Sequence, residues 1–409
     1  MSNGSAGAGV ERRATRTGRE EGPVWRPLAL LWLSGIALRI TILAVPPVVP
    51  AIQDEFHLSA TAVGLLGSIA PALFACAALG GALLVARIGV RGALVGGLAI
   101  VAGGTALLGF ATDFTWLLAA SVVMSAGVAI MQPVMPTTVR HWMPSAHIGL
   151  GTATYTNGLL VGEVIPVFLM LPVIMPLMNG SWRAALAVWA IPVALTALFV
   201  HFSAPRFPDP FTTLKHLPRK WMPDWRSGLV WRLGILFCCI NAIYFAVNAF
   251  IPIYLANQGR PDLISATLTA LNLGQIPASL LLLAIARRLE RRAWAYVASG
   301  LVSLVSVAAL VFAVGPLTPL WAALLGFSDA AALILGLTLP PLLCAPEDVA
   351  RTSAGVFTLS YGGAVGVALI AGALWDATGI AWLTFAPMAV CAVVLAAVTL
   401  MLQAQHELR

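Results

Sequence analysis

Three ionisable residues interrupt long apolar stretches of this 409-residue sequence: Arg39, Glu163 and Asp329. A guanidinium stays charged at any physiological pH, and placing it at the centre of a bilayer costs about 2.5–3.5 kcal/mol unless it faces a polar cavity or a partner. Arg39 therefore has two interpretations. It binds an anionic solute through several donors, or it forms a structural ion pair with Glu163 or Asp329.

Glu163 and Asp329 each have alternative roles as well. Fully ionised, the three groups carry a net charge of −1. That charge is costly in a low-dielectric cavity, so either one acid is protonated at rest or a proton or cationic solute supplies the missing charge. Glu163 shares a helical face with Thr152 and Thr156, and it is a candidate for proton coupling or for a structural pair with Arg39. Asp329 is the second candidate for proton coupling, but its small neighbours also suit helix packing.

Polar side chains also recur at helical spacing in two apolar stretches. Asn241, Tyr244 and Asn248 lie at i, i+3 and i+7, and Asn272 and Gln275 lie three residues apart. Such stripes either face water or join helices by hydrogen bonds, which are common between membrane helices. The candidate solute-binding residues are Arg39, Gln132, Tyr155, Asn241, Tyr244, Asn248, Asn272, Gln275 and Tyr361.

The elements that must position these residues are membrane helices. Apolar residues make up 60% of the chain and charged residues 10%, with a mean hydropathy of +0.92, which excludes a soluble protein of this length. Windows long enough to cross about 30 Å of hydrocarbon as helices predict an all-α membrane protein. Its twelve spans are 28–50, 60–86, 92–111, 115–139, 147–171, 183–203, 229–252, 264–286, 293–314, 320–343, 353–375 and 381–403.

Basic residues indicate the orientation, because cytoplasmic loops retain Lys and Arg. With the amino terminus inside, twenty of the 23 Lys and Arg residues fall on cytoplasmic segments, so the net charge of +7 reflects topology and not nucleic-acid binding. No cleaved signal peptide is expected. We expect a disordered cytoplasmic tail at 1–27, a six-helix bundle at 28–203, a cytoplasmic linker at 204–228, a second six-helix bundle at 229–403, and a cytoplasmic tail at 404–409.

The two halves of the sequence resemble each other, which suggests an internal repeat. Gly151 and Gly158 of the fifth span match Gly355 and Gly362 of the eleventh span at an offset of 204 residues. Two pseudo-symmetric bundles of this kind permit rocking around a site at the bilayer midplane, which is the basis of alternating access.

The loop between spans two and three reads Gly81-Ala82-Leu83-Leu84-Val85-Ala86-Arg87-Ile88-Gly89-Val90-Arg91. It resembles the Gly-rich loop of the major facilitator superfamily, in which an Asp usually stands at the place of Ala86. The resemblance implies the major facilitator fold and a gating role for Gly81, Arg87, Gly89 and Arg91.

Within that superfamily, several stretches resemble the branch that contains cyanate and 2-nitroimidazole transporters. They are Leu38-Arg39 followed by Pro46 or Pro47, the run from Pro136 to Arg140 with Pro144 after it, Tyr155-Thr156 after Gly151, Ser181-Trp182-Arg183, and Trp375-Asp376-Ala377-Thr378-Gly379. Two positions differ. Gln132 stands where that branch often has Asn, and Glu163 stands where a small neutral residue is expected, so the solute can differ.

The sequence lacks the common motifs of enzymes. It has no His-Glu-x-x-His, no Gly-x-Ser-x-Gly, no Walker-type loop and no Cys or His cluster, so we expect no catalytic residues, no metal site and no cofactor. The five cysteines are expected to serve packing.

The function predicted from the sequence is secondary active transport of a small anionic or polar solute, with proton symport as the expected coupling. The alternative is proton-driven efflux of amphipathic or cationic drugs, in which Glu163 and Asp329 bind the cation. The expected location is the bacterial plasma membrane, with both termini cytoplasmic. The expected partners are the solute and the lipid bilayer, and we expect the chain to function as a monomer.

Overall fold

A computed structural model describes residues 25–204, 222–289, 291–345 and 348–404, with side chains at all of these positions except 78–88, 145, 283, 286, 287, 350 and 404. Every regular element in these ranges is a helix. In chain order the α-helices are α1 (Trp25–Ala44), α2 (Val49–Phe56), α3 (Ala60–Leu108), α4 (Phe114–Trp142), α5 (Ile148–Leu169), α6 (Met175–Leu177), α7 (Trp182–Ala187), α8 (Ala190–Ser203), α9 (Gly228–Asn257), α10 (Ile264–Leu273), α11 (Gln275–Leu289), α12 (Ala293–Phe312), α13 (Thr318–Leu337), α14 (Leu339–Leu343), α15 (Val349–Thr378) and α16 (Ala386–Ala404).

Eleven helical stretches in the described ranges are long and apolar enough to cross a membrane. The first of them continues beyond the predicted span, through a 3₁₀ turn at Pro46–Val48, as far as Phe56. The eighth predicted span, 264–286, is divided at Gly274 into α10 and α11. Pro277 lacks the N–H that would bond to the carbonyl four residues earlier, which weakens the helix at this point. Together α10 and α11 still extend over about 39 Å at 1.5 Å per residue.

Helix α3 contains two predicted spans. Gly89 separates them, because its backbone (φ 73°, ψ 164°) is not helical and lies in the region that favours glycine. The predicted disordered tail and cytoplasmic linker lie largely outside the described residues, at 1–24 and 205–221.

The helices form two bundles, α1 to α8 and α9 to α16. Helix α1 packs against α5 as α9 packs against α15, and α3 packs against α8 as α12 packs against α16. The bundles meet where α3 contacts α15 and where α5 contacts α10. The first junction joins predicted spans two and eleven, and the second joins predicted spans five and eight. These two pairs of spans are equivalent under the internal repeat. The predicted all-α fold of two pseudo-symmetric bundles is confirmed.

Glycines allow α1 and α5 to approach closely. Gly158 and Gly162 on α5 have the spacing of small residues at membrane helix interfaces. A Cβ atom on Gly162 would lie 2.5 Å from a carbonyl oxygen of α1, and a Cβ atom on Gly158 would lie 3.3 Å from the Cα of Gly35. This close packing sets the distance between Arg39, one turn after Gly35, and Glu163, the neighbour of Gly162.

We expect Gly158→Val to separate α1 from α5 and to lower the unfolding temperature of the purified protein in detergent. Overpacking of this kind costs about 1–3 kcal/mol. Gly149→Val is the matched control on the same helix, since a Cβ atom there has no neighbour within 4 Å. Equal unfolding temperatures for the two variants would contradict the packing argument.

Candidate functional site

Arg39 on α1 and Glu163 on α5 form an ion pair inside the first bundle. The Nε of Arg39 lies 3.3 Å from the Oε1 of Glu163, and the two side chains are 15% and 6% exposed. Neither Nε nor Nη1 of Arg39 has a hydrogen-bond partner among the described residues. The guanidinium is therefore neutralised by its neighbour but keeps donors that are unsatisfied.

Glu163 also reaches the second bundle. Its Oε2 accepts a hydrogen bond of 2.7 Å from the Nε2 of Gln275, at the start of α11. The Oδ1 of Asn272 on α10 accepts from Gln275 at 3.4 Å and from the hydroxyl of Tyr244 at 3.0 Å. Asn272 in turn donates to the Oδ1 of Asn248 at 3.2 Å. These five side chains are all buried, so a continuous polar network joins the two bundles.

The division of span eight helps to place this network. Asn272 lies at the end of α10 and Gln275 begins α11, on either side of Gly274. The amide of Asn272 also donates to the carbonyl of Leu268 one turn earlier, at 2.9 Å. The side chains thus have fixed orientations in an apolar interior, where an unsatisfied amide costs more than in water.

Asp329 on α13 is also buried, at 6% exposure. The described residues give it no hydrogen bond and no ion pair. Its neighbour Ser328 contacts Ser303 of α12 at 2.9 Å, between the two hydroxyls. Burying an ionised carboxylate without a cation beside it is costly.

Other candidate residues from the sequence lie apart from the network. Asn241 donates to Ser360 Oγ at 2.8 Å, which joins α9 to α15 within the second bundle. Tyr361 packs edge-on against Phe74 of α3, with ring centroids 5.3 Å apart, across the bundle interface. Gln132 and Tyr155 are half-buried on α4 and α5, and no described contact joins either of them to the network.

The loop between spans two and three is described only in part, because the side chains of Gly81 and Arg87 lie outside the described residues. Gly89 forms the break within α3. Arg91 donates to the carbonyl of His201 at the end of α8, so this arginine contacts its own bundle.

An inter-bundle cavity lies beside the network. Tyr244 and Asn248 belong to both. Five helices, α1, α2, α3, α4 and α9, contribute its walls together with the turn after α1. The lining residues are Ile42, Leu43, Val45, Pro46, Val49, Val63, Leu66, Gly67, Ile69, Ala70, Ser121, Met124, Ser125, Tyr244, Phe245, Asn248 and Ala249.

Ser121 and Ser125 line this cavity, but they were not identified as candidate site residues from the sequence. Isolated serines in apolar helices carry no signal, because most of them bond to their own backbone. Ser121 is 3% exposed, and its hydroxyl has no partner among the described residues. Arg39 does not line the cavity, but Ile42, one helical turn along α1, does.

A second contact between the bundles lies at one end of the molecule. We call this end the far face; it carries the turn 57–59 and Asp376, opposite the end that carries Trp25. Asp376 of α15 accepts hydrogen bonds from the backbone N–H of Ala60 and Thr61, both at 2.8 Å, and from the Thr61 hydroxyl at 2.5 Å. A carboxylate from one bundle therefore caps the helix N-terminus of the other bundle.

The described residues contain no group of three or more His, Cys, Asp or Glu side chains that could hold a metal ion. The site is instead a buried ion pair, an amide network and a cavity. Such an arrangement suits reversible binding of a small solute.

Two known proteins are similar to this chain in sequence. The chain is 26% identical to the cyanate transport protein CynX of Escherichia coli (strain K12) over 271 residues, which cover 65% of this chain and 68% of the relative. It is 24% identical to the uncharacterized transporter YycB of Bacillus subtilis (strain 168) over 308 residues, 74% of each protein.

Solved structures share the fold. A bacterial homologue of the human lysosomal transporter Spinster, in an inward-facing and occupied conformation, superposes with a TM-score of 0.70 at 15% identity, covering 94% of this chain and 97% of that one. The D-xylose-proton symporter gives a TM-score of 0.72 at 14% identity, covering 91% and 97%. At these identities the likeness establishes the fold alone.

The family model of the Major Facilitator Superfamily matches residues 31–343, which include most of both bundles. The chain therefore belongs to the Major Facilitator Superfamily, and it is a multi-pass membrane transporter and not an enzyme.

Proposed function

We propose that this protein carries a small monovalent anion across the membrane by alternating access, together with a proton. The observation that supports this most is the state of Arg39, which is paired with Glu163 but retains two nitrogen atoms that have no hydrogen-bond partner among the residues that the structure describes. A planar guanidinium with free donors is suited to binding a carboxylate or a similar anion.

Protonation of Glu163 would release Arg39 for the anion. In the resting pair the charges of Arg39 and Glu163 cancel. An anion that bound beside them would add an uncompensated charge in a low-dielectric interior. When a proton neutralises Glu163, the anion replaces the carboxylate as the partner of Arg39, and the site is again neutral. Anion and proton therefore bind together.

The same proton loosens the contact between the bundles. Ionised Glu163 accepts the hydrogen bond of Gln275 from the second bundle. Charge-assisted hydrogen bonds are about twice as strong as neutral ones. Loss of the charge on Glu163 thus lowers the barrier to rocking at the moment when the solute is bound.

The distribution of basic residues supports a topology with both termini in the cytoplasm. The proposed location is the plasma membrane of a bacterium. We propose bundle limits of 28–203 and 229–403, and the helix ends at Ser203, Gly228 and Ala404 support them. A monomer suffices for this mechanism, since one chain contains both bundles and the whole site. The name of the E. coli relative suggests cyanate as a first solute to test.

Transport by protein reconstituted in liposomes would test the proposal. We expect an inward proton gradient to drive accumulation of labelled cyanate or acetate, and unlabelled small anions to exchange for it in counterflow. In the alternative, a cationic amphipathic drug would exchange and small anions would not. That result would reject the anion site, and Glu163 and Asp329 would become the cation-binding residues.

The cap formed by Asp376 should hold the far face closed. We expect Asp376→Ala to favour the state open to the far face, so that a cysteine placed at Ser125 in the cavity reacts faster with an impermeant maleimide added on that side. The five native cysteines would first be replaced. Asp113→Ala is the matched control, because Asp113 accepts from the Trp116 N–H at 2.8 Å within one bundle. Similar labelling rates in both variants would contradict a role in closing this face.

A further inference from the structure

The inter-bundle cavity has a definite size. About 60 Å³ is open to the centres of water molecules, which is enough space for several of them. A triatomic anion would leave part of this space empty. A group of several non-hydrogen atoms fits the space.

The chemistry of the lining restricts the solute further. Most of the lining residues are aliphatic or aromatic, and four are polar: Ser121, Ser125, Tyr244 and Asn248. No charged side chain is found among the described residues that form the walls. Such a surface favours an apolar body and offers no counterion to a cationic one.

The cavity follows Arg39 along the axis of α1. Ile42 and Leu43 of its wall follow Arg39 by three and four residues on α1, so they lie on the same helical face about 4.5–6 Å along the axis. Tyr244 of the wall donates to Asn272, and Asn272 contacts Gln275, the partner of Glu163. The anion-binding end and the apolar cavity are therefore neighbouring parts of one site.

On the basis of the function proposed above, we propose that the solute is an amphipathic monocarboxylate. Its carboxylate binds Arg39, and its short alkyl or aryl body fills the inter-bundle cavity. The hydroxyl of Ser121, for which the described part of the chain supplies no partner, lets this part of the site bind one polar substituent on the body of the solute. The carrier then differs in specificity from one for a bare inorganic anion such as cyanate.

A homologous series tests this on the unmodified protein. Binding of acetate, propionate, butyrate, valerate, benzoate and cyanate is measured by thermal shift and by competition against a labelled carboxylate, in detergent. We expect affinity to rise about fourfold for each added methylene until the cavity is full. Benzoate should bind more tightly than acetate, and cyanate should bind weakly. The neutral amides of the same acids should bind at least about tenfold more weakly, because they lack the charge that Arg39 recognises.

Two serine variants locate the body of the solute. Ser121→Leu fills the cavity and should reduce the affinity for valerate and benzoate at least tenfold relative to wild type, with acetate changed little. Ser306→Leu is the control, since Ser306 of α12 is also buried and its hydroxyl has no partner among the described residues, but it does not line the cavity. The unfolding temperature measured without ligand shows whether each variant is folded. If a variant is not folded, the affinities of the wild-type protein for the homologous series decide the question.

The outcomes separate this inference from the proposed function. Equal affinity across the carboxylates, or tightest binding of cyanate or acetate, would overturn the amphipathic solute and leave the proton-coupled anion carrier intact. If the amides bind as tightly as the carboxylates, or if neither the carboxylates nor cyanate bind to the folded protein, then both proposals fail. A rising series that Ser121→Leu flattens supports the inference.

Discussion

Replacing Arg39 with glutamine is expected to reduce anion binding and proton-driven uptake at least about thirtyfold. Loss of one partner of a buried, hydrogen-bonded charge pair costs about 2–5 kcal/mol, and 1.4 kcal/mol is a factor of ten. Glutamine keeps a polar side chain of similar length but has no charge for the anion. Binding in detergent and initial rates of uptake into liposomes measure the two effects separately.

Two further variants distinguish a binding role of Arg39 from a structural one. In Arg39→Gln with Glu163→Gln, no charge of the former pair is left buried, so the unfolding temperature should return close to wild type while anion binding stays lost. Arg39→Lys keeps the charge but loses the planar fork, and it should give intermediate affinity. If the double variant recovers both stability and anion binding, Arg39 is a structural residue.

Glu163→Gln is expected to abolish accumulation driven by a proton gradient and to preserve exchange. The amide imitates the protonated acid, so Arg39 is available to the anion at any pH. With one proton per anion, a gradient of one pH unit corresponds to about 1.36 kcal/mol and sustains about a tenfold accumulation. The variant should reach the same solute concentration on both sides. Labelled counterflow should continue and lose its dependence on pH.

Asp329→Asn is the comparison for this experiment. Asp329 is as buried as Glu163 but lacks an arginine beside it. If the proton is carried by Glu163, Asp329→Asn retains accumulation. Loss of accumulation in Asp329→Asn, with accumulation retained in Glu163→Gln, would move the proton-coupling role to Asp329.

Much of the fold could be predicted from the sequence, because a bilayer requires every span to satisfy its own backbone hydrogen bonds. Long apolar windows therefore mark helices with little influence from their neighbours. The exception is span eight, where Gly274 divides the helix. Apolar composition did not reveal this break, since it depends on local backbone geometry near Pro277 and on packing against the other helices.

The candidate site could be predicted only in part. A buried charge requires a partner, so Arg39 and Glu163 were identifiable as residues with a polar environment. Arg39 and Glu163 pair with each other because glycines allow α1 and α5 to approach closely. The contact of Glu163 with Gln275 depends on how the two bundles meet.

The sequence by itself determined the membrane location, the helical spans, the repeat and the presence of unusual charges, because hydrophobicity and charge burial are properties of each segment and its solvent. Only the tertiary structure decided which polar groups bond across the bundles, that Asp376 caps α3, and where the cavity with Ser121 lies. Those features are set by the relative position of helices far apart in the chain. Hydrogen bonds and cavities require distances fixed to a fraction of an ångström, and no single segment specifies them.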